Sequence, residues 1–354
     1  MSTNPIARAQ AENNREPWTP KRVGNLLLNN ALLILMVIAV IYIAIINRNF
    51  LAMSSIINIL SQTAAYLPAA LGIAGCIVLT GTDLSAGRVV GLTACISASL
   101  LQSSLNMANK MWPQIGTLPI LVVIPAVMLI GALIGCFNGF FVAKFKLHPF
   151  IVTLGTQLII YTALLIYVQL GNNNGMAISN LDKTETDFVK GPLFYVGDVM
   201  VPRYVLYAVL LTALMWFIWN KTTLGKNMFA LGSNEEAARV SGVNVFMTTI
   251  LVFALAGAMY GFTGFIEGAR IGSNNANTGF NYELDAIAAC VIGGVSFVGG
   301  IGKIRGIVVG VLMLRLIFIG LTMAKVPQDL QYLIKGGIIL FACALDMRKY
   351  LVKK

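Results

Sequence analysis

Long apolar runs separated by short polar segments make up most of this chain. Most runs are close to the roughly 20 residues that an α-helix needs to cross a bilayer, and this length predicts transmembrane helices. About ten are predicted, over residues 25–46, 63–80, 86–106, 118–142, 149–170, 203–219, 247–267, 284–298, 304–323 and 329–346. The pattern therefore predicts an all-α polytopic membrane protein with a single transmembrane domain over residues 25–346.

Composition and the placement of charge agree with a membrane protein. The 354 residues are 57% hydrophobic and 11% charged, whereas soluble domains carry about 25% charged residues. The net charge of +11 could indicate nucleic-acid binding, but the basic residues lie mostly between apolar runs and at both ends. That distribution is typical of membrane topology, so no nucleic-acid partner is expected.

The basic residues also predict the orientation, because Lys and Arg favour the cytoplasmic side. We expect a cytoplasmic polar tail over residues 1–24, a cytoplasmic loop over 220–246 and a cytoplasmic basic tail over 347–354. The first run has no small-residue cleavage site and is expected to remain as an anchor. The largest outer segment, 171–202, is expected to be either a docking surface for an external partner or a solvated loop.

Catalytic and metal-binding patterns are not found in the sequence. Lys226 and Lys303 follow glycines, but Asn227 and Ile304 stand where a P-loop requires Ser or Thr. The chain is therefore not expected to hydrolyse ATP. The five cysteines fall inside apolar runs and are expected to be packing residues. The single histidine, His148, precedes a proline and is expected to cap a helix.

The loop between the sixth and seventh runs contains a short predicted helix with defined ends. Ser233 is the expected N-cap, and Glu236 three residues later would complete a capping box. Gly242 is the expected left-handed residue after its end. The residues between are mostly small: Ala237, Ala238, Val240 and Ser241. Such a helix is too short to span a bilayer, and it could either dock a soluble protein or simply connect two spans.

Ionisable residues inside a membrane are costly and mark candidate functional sites. Asp83 and Ser85 lie between two glycines after the second run, at the start of the third. Asp83 is expected to cap that helix, with Arg88 one turn on as its ion-pair partner. Either this is a structural turn or the three residues contact a solute; both alternatives remain open.

A second group of polar residues precedes the eighth run. Glu283 and Asp285 stand at a helix start, and Asn274 and Asn277 come shortly before them. The run itself, from Asp285 to Phe297, would rise only about 20 Å as a helix, against a hydrocarbon core of about 30 Å. It is expected to be extended by its flanks, tilted or broken at depth.

Carboxylates at matching helix starts suggest an inverted repeat that relates helices 2–5 to helices 7–10. Arg315 and Lys335 lie within predicted helices and are expected to find carboxylate or carbonyl partners there. Residues 50–62 are amphipathic and are expected either to lie along the outer interface or to begin the second span.

Four stretches together resemble the permeases of the branched-chain amino acid/ribose/galactose class of ABC importers. They are residues 81–88, 225–242, 282–289 and 293–300. Gly81-Thr-Asp-Leu-Ser-Ala-Gly-Arg88 is similar to the galactose/methyl-galactoside members in its last three residues. The resemblance extends over nearly the whole chain from about residue 30.

The resemblance implies ten helices, a second copy of the chain, a cytoplasmic ABC ATPase and a periplasmic or lipid-anchored binding protein that delivers a small sugar. It implies a multi-pass protein of the bacterial inner membrane, with no cofactor of its own because ATP is used by the partner subunit. The 234–241 helix would follow the ATPase groove and tilt spans six and seven. The residues expected to couple to the ATPase are Gly225, Asn227, Ala230, Gly232, Asn234, Glu235, Ala237, Ala238, Ser241 and Gly242.

The translocation pathway is expected to include Asp83, Ser85, Arg88, Asn274, Asn277, Glu283 and Asp285. Galactose or methyl galactoside is the first expectation for the solute, and ribose, another pentose or a nucleoside is the alternative. A secondary transporter that works without an ATPase is a further alternative. Such a carrier would show ionisable residues spread through helix centres, whereas here they cluster at helix starts.

Overall fold

The computed structural model describes residues 31–105, 107 and 110–351. Within them the chain forms thirteen α-helices and one two-stranded hairpin. The helices are α1 (Ala31–Ile46), α2 (Met53–Val78), α3 (Ala86–Leu100), α4 (Ile120–Phe145), α5 (Pro149–Tyr167), α6 (Lys183–Lys190), α7 (Tyr204–Lys221), α8 (Thr223–Ser233), α9 (Glu235–Val240), α10 (Val245–Ile271), α11 (Tyr282–Ile292), α12 (Ile304–Met323) and α13 (Gln328–Leu351). Strands β1 (Pro192–Val196) and β2 (Val199–Pro202) lie between α6 and α7. The predicted polar tail, 1–24, lies outside the described residues.

Six of these helices are long and apolar enough to cross a membrane: α2, α4, α5, α7, α10 and α12. The other four predicted spans correspond to α1, α3, α11 and α13. Helix α11 has 11 residues and ends at Ile292, which confirms that the eighth span is too short to cross alone. Helix α3 is also short, with 15 residues, and the prediction that it continues to residue 106 was wrong.

The second span begins ten residues earlier than predicted. Helix α2 is continuous from Met53, so most of the amphipathic segment 50–62 is the start of that span and not a separate interfacial helix. A short 3-10 turn, Arg48–Leu51, precedes it and is capped by Asn47. Most of the residues of α2 are buried, which places this helix at the centre of the bundle.

Each half of the chain has one long helix, α2 or α10, that packs against helices of the other half. Helix α10 packs against α3 and α4, which follow α2, whereas α2 packs against α11 and α12, which follow α10. The arrangement is the one that an inverted repeat of helices 2–5 and 7–10 would produce. It places each short helix against the long helix of the other half.

Glycine permits the closest of these contacts, between α4 and α10. A methyl group at Gly135 would overlap the backbone carbonyl of Phe253, and one at Gly131 would overlap that of Gly257. Small residues let membrane helices approach until their backbones touch, and van der Waals contact then holds them together. Helices α4 and α10 therefore pack with their backbones in contact.

The outer segment 171–202 is ordered and seated on the bundle. Bridges pair Gln102 with Leu181 and Ile178 with Asn274. Helix α6 packs against α10, and Phe188 stacks on Tyr207 with ring centroids 5.2 Å apart. The segment is therefore folded against the bundle, and its role as a docking surface stays a prediction.

Glu185 is a residue of α6, and its carboxyl group is buried. Neither carboxyl oxygen has a hydrogen-bond partner among the described residues. Burial, and then the nearby charge of Asp182, raise the pKa of Glu185 to about 9, while Lys190 opposes the shift. The group is therefore neutral at pH 7, because water no longer stabilises its charged form.

Glu185 should make the outer segment sensitive to alkaline pH. The folded form keeps a proton that the unfolded form loses near its ordinary pKa, so stability falls as pH rises between about 4.5 and about 9. Proteolysis of residues 171–202 in purified protein should accelerate as pH rises towards about 9, and Glu185→Gln should remove the acceleration. Asp187→Asn, at an exposed neighbouring position, is the matched control and should keep it. Equal pH dependence of wild type and Glu185→Gln would contradict this assignment.

Candidate coupling segment and translocation site

The polar segment between α7 and α10 contains two helices, of which the sequence analysis predicted only the second. Thr222 caps α8, because its hydroxyl accepts a hydrogen bond from the N–H group of Gly225. Trp219 and Phe229 meet edge to face at 5.5 Å and hold α8 against α7. The cap residue Thr222 and the apolar pair Met228 and Phe229 are the signals that could have revealed α8.

The predicted capping box of α9 was wrong by one residue. Ser233 remains in α8, where its hydroxyl donates to the carbonyl of Phe229. The N-cap is Asn234, which has extended backbone angles and accepts from the N–H group of Ala237 at 2.9 Å. Asn is as good a cap as Ser, and the turn between α8 and α9 requires the extended residue at 234. Glu236 makes no reciprocal bond among the described residues.

The predicted end of α9 is confirmed. Gly242 has a φ of +85°, its N–H group donates to Arg239, and the N–H group of Val243 donates to Ala238. This pair of bonds is the Schellman arrangement, which satisfies carbonyls that a helix end would otherwise leave unpaired. Helix α9 is therefore closed at both ends, although it has only 6 residues.

The ten predicted coupling residues divide into two sets. The exposed set is Ala230, Asn234, Glu235, Ala237, Ser241 and Gly242, and the others are Gly225, Gly232, Ala238 and half-buried Asn227. Ala238 is 4% exposed, whereas its neighbour Val240 is 90% exposed. The buried set positions α8 and α9, and the exposed set forms a surface that a partner could contact.

Gly232 connects this segment to the helices in the membrane. A methyl group there would overlap the carbonyl of Val78, at the end of α2, and would crowd the backbone of Gly300, in the loop after α11. The N–H group of Gly300 itself donates to Val78 at 2.9 Å. The end of α8 therefore contacts the end of α2 and the loop between α11 and α12, which belong to different halves of the chain.

Asp83 lies in a buried polar cluster among packed helices. Its Oδ1 accepts from the backbone N–H and the hydroxyl of Ser85. The side chain of Asn138 in α4 donates to Ser85 at 3.0 Å and accepts from Thr156 in α5 at 2.6 Å. Asp83 stabilises the turn, but it does not cap α3 as predicted, because Ser85 is the N-cap residue of that helix. Neither Asp83 nor Ser85 is accessible, with exposures of 0% and 1%.

Arg88 does not form the predicted ion pair with Asp83. Its guanidinium donates to the backbone carbonyl of Ala276 and lies 4.1 Å from the ring centre of Tyr161. Helix geometry explains the difference, because Asp83 turns back to satisfy Ser85 while Arg88 faces the loop 272–281 on the other side. Arg88 therefore fixes that loop against α3.

The predicted asparagines and Glu283 lie in different surroundings. Asn274 is fully buried and donates to the carbonyl of Gly268, whereas Asn277 is exposed. Glu283 is buried beside Gly87, where a side chain would overlap its carboxylate. Of these three residues, Glu283 therefore lies at the contact between the two halves.

Asp285 is the centre of an ion cluster between α11, α12 and α13. Arg315 donates to its Oδ2 at 2.5 Å, and Lys335 forms an ion pair with its other oxygen. The predicted partners of these two cations are thus confirmed. The guanidinium of Arg315 also lies 3.6 Å from the ring centre of Tyr66, which stacks on Tyr282 at 4.1 Å.

A cavity of about 660 Å³ lies between α2, α10 and α12. None of the seven residues predicted for the pathway lines it, although Arg315, the partner of Asp285, does. Its polar lining comes from Ser54, Ser55, Asn58, Gln62, Tyr66, Arg270, Arg315 and Thr322. Gln62, Tyr66 and Arg270 were not predicted from the sequence. Residues from Ser54 to Tyr66 recur at four-residue spacing on one helix face, and this spacing could have indicated Gln62 and Tyr66.

Comparison with known proteins gives consistent matches over most of the chain. Residues 55–343 match the profile of the family described as branched-chain amino acid transport system / permease component. The galactose/methyl galactoside import permease protein MglC of Salmonella typhimurium is 47% identical over 321 residues, which cover 90% of this chain and 94% of the relative. MglC of Escherichia coli K12 is equally similar, with the same coverage.

A more distant relative is the ribose import permease protein RbsC of Escherichia coli K12, with 33% identity over 90% of this chain and 93% of its own length. No solved structure matches the chain. The profile spans far more than half of the sequence, and it spans all six helices that meet the length and hydropathy of a membrane span except the first two residues of α2. This chain is a multi-pass membrane protein and belongs to the family of branched-chain amino acid transport system permease components.

Proposed function

We propose that this chain is the membrane-spanning subunit of an ATP-driven, binding-protein-dependent importer of galactose and methyl galactosides. The observation that carries the proposal is the exposed, doubly capped helix α9, which is anchored through Gly232 to the end of α2 and to the loop after α11. A transmembrane permease with a rigid helix on one face fits a subunit that is moved by another protein.

The solute is proposed from the difference between the relatives. The MglC proteins are 47% identical to this chain, and RbsC is 33% identical over a similar length. Ribose is therefore the second candidate. Because a binding protein delivers the solute in such a system, its selectivity would add to that of the permease.

ATP hydrolysis belongs in this proposal to a separate cytoplasmic ATPase, and this chain needs no cofactor. The sequence lacks a P-loop, as shown by Asn227 and Ile304 after the two Gly-Lys pairs. The described residues also contain no group of three His, Cys, Asp or Glu side chains that could hold a metal ion. Energy must then reach the permease through a contact, for which α9 is the exposed candidate.

A second copy of the chain completes the pathway. The cavity beside α2 is open, and its polar side chains would face lipid if nothing covered them. Polar groups in a membrane occur where they are packed in protein or line a water-filled space. A second permease facing the first would enclose that space, and both chains would lie in the bacterial inner membrane.

ATP hydrolysis would be coupled to transport because the ATPase binds two states of the permease with different affinities. Helix α9 would bind a groove of the ATPase, and closure of the ATPase by ATP would shift α9 together with α7 and α10, the sixth and seventh spans. A partner can move a protein between two states only by as much as it binds one state more tightly than the other. The rigid capping of α9 lets that difference act on the helices.

Reconstitution should show that the complex, and not the permease alone, transports galactose. Proteoliposomes that contain this chain, its ATPase and its binding protein should take up galactose only when ATP is supplied on the ATPase side, and ribose should compete poorly. Uptake by vesicles that contain this chain alone would instead support a secondary transporter. Preferential uptake of ribose would support the second candidate.

Ala237 should be sensitive to a bulky charged residue. Its side chain is exposed on α9, so Ala237→Arg should leave the fold intact but obstruct docking. We expect at least about a tenfold loss of ATPase co-purification and uptake, which corresponds to about 1.4 kcal/mol of binding free energy. The matched control is Leu147→Arg in the α4–α5 loop, which is also exposed and should change neither. Normal uptake by Ala237→Arg would contradict a docking role.

The orientation of the chain can be tested with single cysteines. Val240, at the end of α9, is 90% exposed, and Tyr195, in β1, is 61% exposed. A membrane-impermeant thiol reagent should label Tyr195→Cys in intact cells and Val240→Cys only after permeabilisation. The native cysteines in the described region are buried or half-buried and give the background. Labelling of Val240→Cys in intact cells would reverse the proposed topology.

A further inference from the structure

We propose that the cavity between α2, α10 and α12 is an outward-facing vestibule that binds a neutral sugar through the side chains of Asn58 and Gln62. This inference rests on the proposed function of sugar import and adds to it the residues that the sugar would contact. None of these residues was among those predicted for the pathway.

One face of α2 lines the vestibule with polar groups. Ser54, Asn58, Gln62 and Tyr66 follow one another at four-residue intervals and all border the cavity. Such residues share one face of a helix, and at 1.5 Å per residue the row descends about 18 Å from Ser54 to Tyr66. The row therefore leads from the outer end of α2 into the bundle.

Gln62 is held in position by charged residues of α10. Arg270 makes two hydrogen bonds to the carboxylate of Glu267, at 2.7 and 2.8 Å, and a third to Oε1 of Gln62 at 3.3 Å. Because the amide oxygen of Gln62 accepts from Arg270, its NH₂ group remains a donor for a solute. Glu267 is fully buried, so this network is fixed before a solute arrives.

Asn58 supplies the complementary amide. Its side chain is exposed, borders the cavity and makes no hydrogen bond to another described residue. It lies one helical turn above Gln62, about 6 Å along the axis, which is the scale of one sugar ring. Amide groups offer both donors and acceptors, as sugar hydroxyls require.

The floor of the vestibule favours a neutral solute over a cation. Tyr66 lies between the guanidinium of Arg315 and the ring of Tyr282, so both of its faces are covered. Arg315 and Lys335 share the single carboxylate of Asp285, which leaves one positive charge in excess in this cluster. A cationic solute would be repelled there, whereas hydroxyl oxygens can accept hydrogen bonds from cationic donors.

The first test is transport with the polar face removed. In proteoliposomes that contain the ATPase and the binding protein, Asn58→Leu and Gln62→Leu should each lower the galactose uptake rate at least about tenfold, while ATP hydrolysis stimulated by the loaded binding protein stays within about twofold of wild type. Gln62→Glu keeps an oxygen for Arg270 but lacks the NH₂ donor, so it should not recover the uptake. Thr162→Val, at an exposed position of α5, is the matched control and should behave as wild type.

Two outcomes would overturn the proposal. Uptake within about twofold of wild type in both leucine variants would show that the vestibule does not bind the solute. A loss of stimulated ATP hydrolysis equal to the loss of uptake would show that the two residues support the fold or the coupling. If the wild-type complex does not transport galactose, the proposed function is wrong. That result comes from the wild type alone and is therefore distinct from the results of the variants.

The second test is access from outside. A membrane-impermeant thiol reagent should label Asn58→Cys in intact cells, and a bulky reagent at that position should block uptake. Thr162→Cys should remain unlabelled, because the helix that carries it is apolar and lies apart from the cavity. No labelling at Asn58→Cys would show that the cavity is not open to the outside and would reject the vestibule.

Discussion

Hydrocarbon offers no hydrogen bonds, so every stretch of non-helical backbone among membrane helices must find its partners within the protein. The turn after α2 meets this constraint by local means: the N–H group of Leu84 donates to Thr153 of α5, whose hydroxyl donates to the carbonyl of Thr82, and Ser85 is satisfied by Asp83. The loop before α11 meets it by contact with α3, through Arg88 and the carbonyl of Ala276. The turn after α2 is thus satisfied within its own half, whereas the loop before α11 is satisfied by a helix of the other half.

The same constraint explains why the ionisable residues divide by role. Asp83 and Ser85 are inaccessible and are committed to the turn, so their charge and hydroxyl groups stabilise backbone. Asp285 is committed to two cations from neighbouring helices. Among the described residues that line the cavity, the amides of Asn58 and Gln62 keep NH₂ donors that no bond to the protein uses. Polar groups among the membrane helices thus stabilise the fold around Asp83 and Asp285, whereas those of the proposed vestibule contact the solute.

The sequence predicted the helical membrane architecture and much of the coupling segment, because these depend on local pattern. Run length predicted the spans, and Gly242 predicted the end of α9, since only a left-handed residue closes that turn without strain. The N-cap was misplaced because Ser233 and Asn234 are both good caps, and only the packing of α8 decides between them.

Local pattern could indicate the polar face of α2, but it could not predict that this face meets Arg270 and lines a cavity. Asp83, Glu283 and Asp285 were predicted as site residues because carboxylates are rare inside membranes. Rarity indicates that a residue matters, but it does not distinguish a structural role from contact with a solute. Gln62 and Arg270 are more than 200 residues apart in the chain and meet only because α2 packs on α10. The Arg88 pairing failed for the same reason: its partner, the carbonyl of Ala276, is 188 residues away.

The coupling segment and the vestibule are connected through two rigid helices. Gly232 of α8 contacts the end of α2 at Val78 and the loop after α11 at Gly300. From Val78, α2 rises about 18 Å to Tyr66, and from Ile292, α11 rises about 15 Å to Tyr282. These two tyrosines form the stacked pair at the vestibule floor. A displacement of α8 by an ATPase would therefore act on both members of that stack at once, and unequal movement of the two helices would separate the rings and open the floor.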